Sequence, residues 1–427
     1  ERDVPASTEI LRARTLEPGY LAKQVAWNVA AETPVTRAAR FKKKLLGLGR
    51  KLLVPDPQAL WLPHASHALA TRLLSGRADD VVFISGPPFS QFLLAHLGRL
   101  RPATAIVLDY RDEWTTTGGV YEMGNSIRAG AMLERAVLRR AHAVTTATEA
   151  FRSQLLERFD FLDPRRVHFI PNGYDPEDFP SPLPSPPSDK FILTYLGTVF
   201  RLTSPRGLLD ALRLLREREP ALARFLEVRF IGRIVETEAP LFTGTEAMGV
   251  SRQGYLDHGR AMIELARSHA VLCILDDVPG AERIYPAKIF EIMYLGRPCL
   301  ALTPEGVLAD LVRRHRLGDV VAPRDAEGIL AWLVLQLRAF RDGISASPDD
   351  RVTRAVEIER FDRRTQAGDF ARVFRLAALT AQDCLTRTTL QRPLRHRPGP
   401  LDPRFVGEFS RPQTGQGPRK FRTLPPL

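Results

Sequence analysis

Cysteine is scarce in this chain of 427 residues: there are three, Cys273, Cys299 and Cys384. Their spacing matches no metal-binding pattern. Cys273 and Cys299 lie in apolar runs, so they are expected as reduced core residues of a cytosolic protein. No apolar run approaches the length that spans a bilayer. The opening Glu1-Arg-Asp-Val-Pro is polar and charged, unlike a secretory leader, and it lacks an initiating Met, so the natural start is expected upstream. Acidic residues are outnumbered, 49 Asp and Glu against 61 Lys and Arg, which leaves a net charge of +12. Such an excess suits nucleic acid, an anionic lipid surface or phosphorylated substrates. A composition rich in Arg and Pro accounts for it globally, and no specific nucleic-acid partner is expected.

What is present is the composition of a soluble globular protein, 44% hydrophobic and 26% charged, long enough for two domains with separate cores. Residues 1–75 are mostly helical in pattern, with no clear strand. Within them Phe41-Lys-Lys-Lys-Leu-Leu-Gly-Leu-Gly-Arg-Lys-Leu-Leu53 is short, basic and amphipathic. It is open to two readings: a segment lying on an anionic membrane, or a solvated helix packed on its own domain.

From residue 79 strands and helices alternate, the signature of parallel sheets with crossover helices. The spacing predicts strands at 81–85, 105–109, 143–147 and 167–171, then at 191–197, 226–232, 271–275, 299–302 and 320–323. Helices are expected at 91–97, 126–141, 205–218, from about 325, and at 355–379. No internal repeat is visible. The expected organisation is an amino-terminal domain over 1–175, a Pro- and Ser-rich linker over 176–189 and a second α/β domain over 190–354. A closing helix over 355–380 and a disordered basic tail over 381–427 complete it.

The segment Ile284-Tyr-Pro-Ala-Lys-Ile-Phe-Glu-Ile-Met-Tyr-Leu-Gly-Arg-Pro-Cys-Leu-Ala-Leu302 reads as turn, helix and buried strand. Pro286 suits the first helical turn and Gly296 the stop. Lys288 and Glu291 share one face near the helix amino terminus, where free N–H groups and partial positive charge favour phosphate. An ordinary helix–strand unit has the same pattern.

The order of motifs is more specific. Ser85-Gly-Pro-Pro-Phe-Ser90, Leu108-Asp-Tyr-Arg-Asp-Glu-Trp114, Ile170-Pro-Asn-Gly-Tyr-Asp175, Tyr195-Leu-Gly-Thr198 and Pro286-Ala-Lys-Ile-Phe-Glu291 follow one another along the chain. Over residues 50–378 this resembles the family 4 (group 1) glycosyltransferases of the GT-B fold, in particular a bacterial subgroup with Asp-aromatic-Arg-Asp-x-Trp and Lys-x-Phe-Glu motifs. The resemblance implies two Rossmann-like domains facing across a cleft. It also implies retaining transfer of a sugar from a nucleotide-sugar donor to a polysaccharide or lipid-linked acceptor. The enzyme would be cytoplasmic, peripheral on the inner face of the cell membrane, with no obligatory metal and no further cofactor. The family's first strand and Gly-rich loop are not visible before residue 50, so the first amino-terminal strand is expected to be missing or replaced.

Carried onto this sequence, the resemblance implies donor binding by Gly197, Thr198, Arg201, Arg206, Arg233, Lys288 and Glu291. Gly197 and Thr198 approach the diphosphate, the arginines and Lys288 neutralise it, and Glu291 binds the ribose hydroxyls. The family's paired first glutamate falls on Arg283, with Glu282 one residue out of register. Asp109, Arg111 and Asp112 stand at the reacting end of the first domain, where many relatives have His. Gly86, Pro87 and Ser90 form the acceptor-side loop. A GT-B-fold nucleotide-sugar epimerase and a non-catalytic basic scaffold for membrane or nucleic acid are the competing readings.

Overall fold

The computed structural model describes residues 4–15, 54–76, 80–115, 127–344 and 357–390. The basic stretch 41–53 and the tail beyond 390 lie outside them. Two parallel sheets form the frame, both within the compact unit that ends at Leu385.

The first sheet has strands β1 (Val81–Gly86), β2 (Ala105–Tyr110), β3 (Ala143–Thr146) and β4 (Val167–Phe169), paired in chain order and all parallel. No strand precedes Val81 among the described residues. Every residue of β2 and β3 is buried, as expected for central strands of a parallel sheet covered on both faces. Alternation divides β2. Ile106, Leu108 and Tyr110 face a core shared with Phe92, Trp114 and Phe151, whereas Ala105 and Val107 meet Val373, Ala377 and Ala381 on the other side.

Helices are α1 (Leu62–Leu74), α2 (Ile127–Leu138) and α3 (Glu149–Arg158). The described residues 4–15 are not helical; among the described residues up to 75, the expected helical pattern appears in α1 and the short turn before it. The helix expected at 91–97 is a 3₁₀ helix over Phe89–Leu100. Its apolar spacing explains this. Phe89, Phe92 and Ala95 recur every third residue and are all buried, which suits three residues per turn.

The second sheet is β5 (Phe191–Leu196), β6 (Leu226–Ile231), β7 (Val250–Gln253), β8 (Ala270–Ile274), β9 (Cys299–Leu302) and β10 (Gly318–Val321). Its spatial order is β10-β9-β8-β5-β6-β7, all parallel. The chain starts in the middle, winds outward one way, then returns to wind the other way. β5 and β8 therefore flank the point of reversal, where open α/β sheets leave a crevice beyond their carboxyl ends. Helices α4 (Arg206–Arg218), α5 (His258–Ala266), α6 (Lys288–Leu295), α7 (Val307–Arg314) and α8 (Ala326–Arg341) accompany this sheet.

The closing helix α9 runs over Arg363–Leu390, longer than expected and into the stretch expected to be tail. It carries Phe370, Val373, Phe374 and Ala377 back onto the first sheet, where Phe83 of β1 meets both phenylalanines edge-on. The chain thus ends its fold on the lobe where it began.

Although no repeat is legible in the sequence, the lobes share a local device. His142 donates its backbone N–H to Ile106 O at 2.7 Å and accepts the Ile106 N–H on Nδ1 at 2.9 Å. His269 does the same with Ile192, at 2.9 and 3.0 Å. Each histidine precedes an Ala-Val pair that opens the neighbouring strand, and each clasps the second residue of β2 or β5. Burial and the nearby Arg166 hold the His142 imidazolium down to about 4, which keeps Nδ1 an acceptor at neutral pH.

Glu134 on α2 is fully buried and takes a hydrogen bond from Thr115 Oγ1, near the Tyr110 hydroxyl. Burial, only partly offset by Thr115 and Arg158, pushes its carboxyl up to about 7 from 4.5. Between those pH values the unfolded chain ionises while the fold keeps its proton. Stability from this group is therefore fullest below 4.5, falls as pH rises to about 7, and is flat above. The span corresponds to about 3 kcal/mol. Glu134→Gln is expected to remove this slope: urea denaturation should find variant and parent close at pH 5 and the variant more stable at pH 8. A parallel pH dependence in both proteins would place the titration elsewhere.

Candidate active site

The carboxyl ends of both sheets converge on one cavity of about 450 Å³, within the size range of small-molecule and cofactor sites. Its floor is the end of β5, Tyr195–Thr198, beside the end of β8. Ile284 to Lys288, leading into α6, forms one wall, and Arg111, Asp112 and Asn172 reach in from the first lobe.

On the second lobe the local sequence builds one wall of the cavity. Gly197 has φ of +151°, a conformation side chains rarely adopt, and the backbone there stays open to close approach. The Tyr195 hydroxyl donates to Thr198 O at 2.9 Å and holds that turn from beneath. Helix α6 begins at the cavity with Ala287 at its cap and no side chain capping its amino terminus; the Ile289 and Phe290 N–H groups turn back onto Pro286 O and Ala287 O, at 3.0 and 3.3 Å. Lys288 lines the cavity and pairs with Glu291 Oε1 at 3.1 Å. Glu291 is buried just behind, and its Oε2 has no hydrogen-bond partner. A buried carboxylate oxygen left unsatisfied is costly, and donors supplied by a ligand would relieve it.

On the first lobe Arg111 is held at many points. Its Nε donates to Asp109 Oδ1 at 2.9 Å and its Nη2 to the same oxygen, while Nη1 lies 3.3 Å from both Pro171 O and Asn172 Oδ1. Its guanidinium also sits 5.6 Å from the centre of the Phe370 ring on α9. Asp109 is 3% exposed and also accepts from Ser85 Oγ and Thr145 Oγ1, each at 2.6 Å. Asp109 does not line the cavity; it orients Arg111. Asp112 does line it and is the acidic side chain among the lining residues.

The structure therefore brings Arg111, Asp112, Gly197, Thr198 and Lys288 together, with Glu291 one layer behind. Arg201, Arg206 and Arg233 are exposed and do not line the cavity, although Leu202 and Thr203 beside Arg201 do. The loop with Gly86, Pro87 and Ser90 also lies off the cavity. Gly86 O accepts the Arg111 N–H at 2.9 Å, Pro87 is exposed, and the buried Ser90 donates its backbone N–H to Asp56 Oδ2 at 2.8 Å. Asn172 also lines the cavity; it belongs to the motif Ile170–Asp175 but is not among the expected site residues, and its place three residues past β4, at the carboxyl edge, is the signal the sequence offers.

Residues 24–173 match the model of the family described as Glycosyl transferase 4-like domain. No curated protein matches the chain. Among solved structures, sucrose-phosphate synthase from Thermosynechococcus elongatus is similar with a TM-score of 0.52 and 16% identity, over 74% of this chain and 78% of that one. HepE from Anabaena, in complex with UDP and glucose, gives a TM-score of 0.55 and 14% identity, over 74% of this chain and 83% of that one. At such identities the likeness is one of fold. The chain has the GT-B architecture, two Rossmann-like domains with a cleft between them.

Proposed function

We propose that the protein is a retaining glycosyltransferase that moves a sugar from a nucleotide-sugar donor to a polysaccharide or lipid-linked acceptor. The observation that carries this reading is the cavity at the β5/β8 reversal, where an uncapped helix amino terminus and Lys288 stand opposite Arg111 and Asp112 of the other lobe. The glycosyl transferase 4-like match and the GT-B fold support it.

In this reading the donor diphosphate lies over Gly197 and Thr198 at the start of α6. Lys288 and the positive end of the α6 dipole meet its charge, and Glu291, directly behind Lys288, is the expected partner of the ribose hydroxyls. As the bond between sugar and diphosphate breaks, negative charge grows on the leaving phosphate, and donors already in place stabilise it without rearrangement. Arg111 adds a fixed positive charge from the acceptor side. Asp112 is placed to orient a sugar hydroxyl or to take the proton of the attacking acceptor hydroxyl. Attack from the face the leaving group departs retains the anomeric configuration and asks for no protein nucleophile. The charge is met by protein groups, so the proposal invokes no metal.

Among the described residues no helix is long and apolar enough to cross a membrane. A lipid-linked acceptor would be met at the surface of an anionic membrane, for which residues 41–53 are the suited stretch of sequence. The test is a thermal-shift panel of nucleoside diphosphates and nucleotide sugars. One base is expected to raise the melting temperature well above the others, by mass action. No response to any member would overturn the proposal. Product analysis with and without acceptor then separates transfer from epimerisation.

A further inference from the structure

Arg283 and Glu113 meet where the two lobes touch. Arg283 closes a short 3₁₀ turn, Ala281–Arg283, directly before the lining run that begins at Ile284. Glu113 directly follows Arg111 and Asp112, which line the cavity from the opposite lobe. The guanidinium forks onto the carboxylate, Nε to Oε1 at 2.8 Å and Nη2 to Oε2 at 3.2 Å. Both side chains are largely withdrawn from water, 18% and 4% exposed. Nη1 is held by Glu282 on the same turn. The main chain is tied as well: Arg283 O accepts from Thr148 Oγ1 of the first lobe at 3.0 Å.

We propose that the Arg283–Glu113 fork is a cross-cleft latch. It sets the two lining segments, Arg111-Asp112 and Ile284–Lys288, against each other, and so governs how fast the leaving nucleotide departs. A fork of two parallel bonds fixes distance and angle together, which a single ammonium cannot do. The pair also differs from an ion pair inside a core. There, rupture strands a charge away from water. Here, parting of the lobes hydrates both partners at once, so the contact holds firmly and still opens. Arg283 and Glu113 are thus positioning residues, acting through the segments they join.

The part of this inference that concerns nucleotide release rests on the glycosyltransferase reading; the part that concerns lobe geometry does not. The test uses the full chain with Glu113→Gln, Arg283→Lys and the reversed pair Glu113→Arg with Arg283→Glu. Small-angle X-ray scattering without ligand reads the separation of the lobes. Displacement of a fluorescent nucleoside diphosphate, its base taken from the thermal-shift panel, reads release, and circular dichroism confirms folding. Each single variant is expected to show a larger radius of gyration and release faster by about tenfold or more, because losing one partner of a buried charge pair acts on the off-rate. The reversed pair should recover both properties. Folded single variants with unchanged scattering and release would overturn the latch, as would a reversed pair that recovers neither. Expanded scattering in a protein that binds no diphosphate would keep the latch and remove the transferase reading.

Discussion

Replacing Lys288 and Glu291 together by alanine is expected to abolish the stabilisation of the protein by nucleoside diphosphates. The two side chains form a pair at 3.1 Å, with Glu291 9% exposed. Removing Lys288 alone would leave a buried carboxylate without its cation, and the resulting instability would hide the binding effect. Removing both avoids that. On the proposed reading, what is lost is one cationic contact to phosphate and one carboxylate acceptor for ribose hydroxyls. Hydrogen bonds to charged groups contribute roughly 1.5–3 kcal/mol each. Affinity should then fall between about a hundredfold and ten-thousandfold. Isothermal titration with the preferred diphosphate measures this directly, and the ligand-free melting temperature shows whether the fold survives. Binding within about threefold of the parent would remove both residues from the donor site. Glu291→Gln refines the result: it keeps the shape but changes the orphan Oε2 into an amide position, so ribose recognition should weaken while the phosphate contact persists.

Arg111→Ala is expected to lower turnover by about 10² to 10³, the range found when one fixed donor to developing charge is removed. The structure holds this side chain in place before any ligand binds. Asp109, Pro171, Asn172 and Phe370 all hold the guanidinium, so little of its orientation is left to be settled during the reaction. Lysine should not rescue it, because a single ammonium cannot reproduce the fork onto Asp109. Asp109→Asn is the informative companion. It keeps one acceptor oxygen, puts an amide donor where the other stood so that the hydroxyl of Ser85 or Thr145 must turn to accept, and weakens the hold on Arg111; it should reduce turnover less than Arg111→Ala does. Steady-state kinetics with the preferred donor decides: an Arg111→Ala enzyme with unchanged kcat would take Arg111 out of the reaction.

Much of the frame was legible because buried parallel strands are short apolar runs with charged or Gly-containing ends. Cys299–Leu302 lies where its pattern predicts, and β2 and β5 end within a residue of expectation. Strand β7, Val250-Ser-Arg-Gln253, was missed because only Val250 is buried, which leaves no alternation to read. Helices α3, α5 and α7 were missed too, and α3 has apolar residues too few to mark a stripe. At the site, Lys288 and Glu291 were readable from helical spacing. The choice among arginines was not, because exposure depends on which loop turns towards the cleft. Asp109 shows the same limit: a carboxylate at a strand end reads alike whether it meets substrate or, as here, orients an arginine. The partnership of Arg283 with Glu113 joins residues 170 positions apart, and no local pattern announces such a contact.

The return of α9 to the first sheet has a consequence for how the chain is made. Ala105, Val107, Ala143 and Ile170 form a face whose cover is Val373, Ala377 and Ala381, more than two hundred residues later. During synthesis the first lobe therefore leaves the ribosome before the α9 cover of this face exists, and remains without it while the whole second lobe is being translated. At elongation rates of about 5–20 residues per second, that interval is on the order of tens of seconds. Through that interval the face formed by Ala105, Val107, Ala143 and Ile170 lacks its α9 cover. The same topology makes a chain cut before residue 370 prone to aggregate rather than merely inactive.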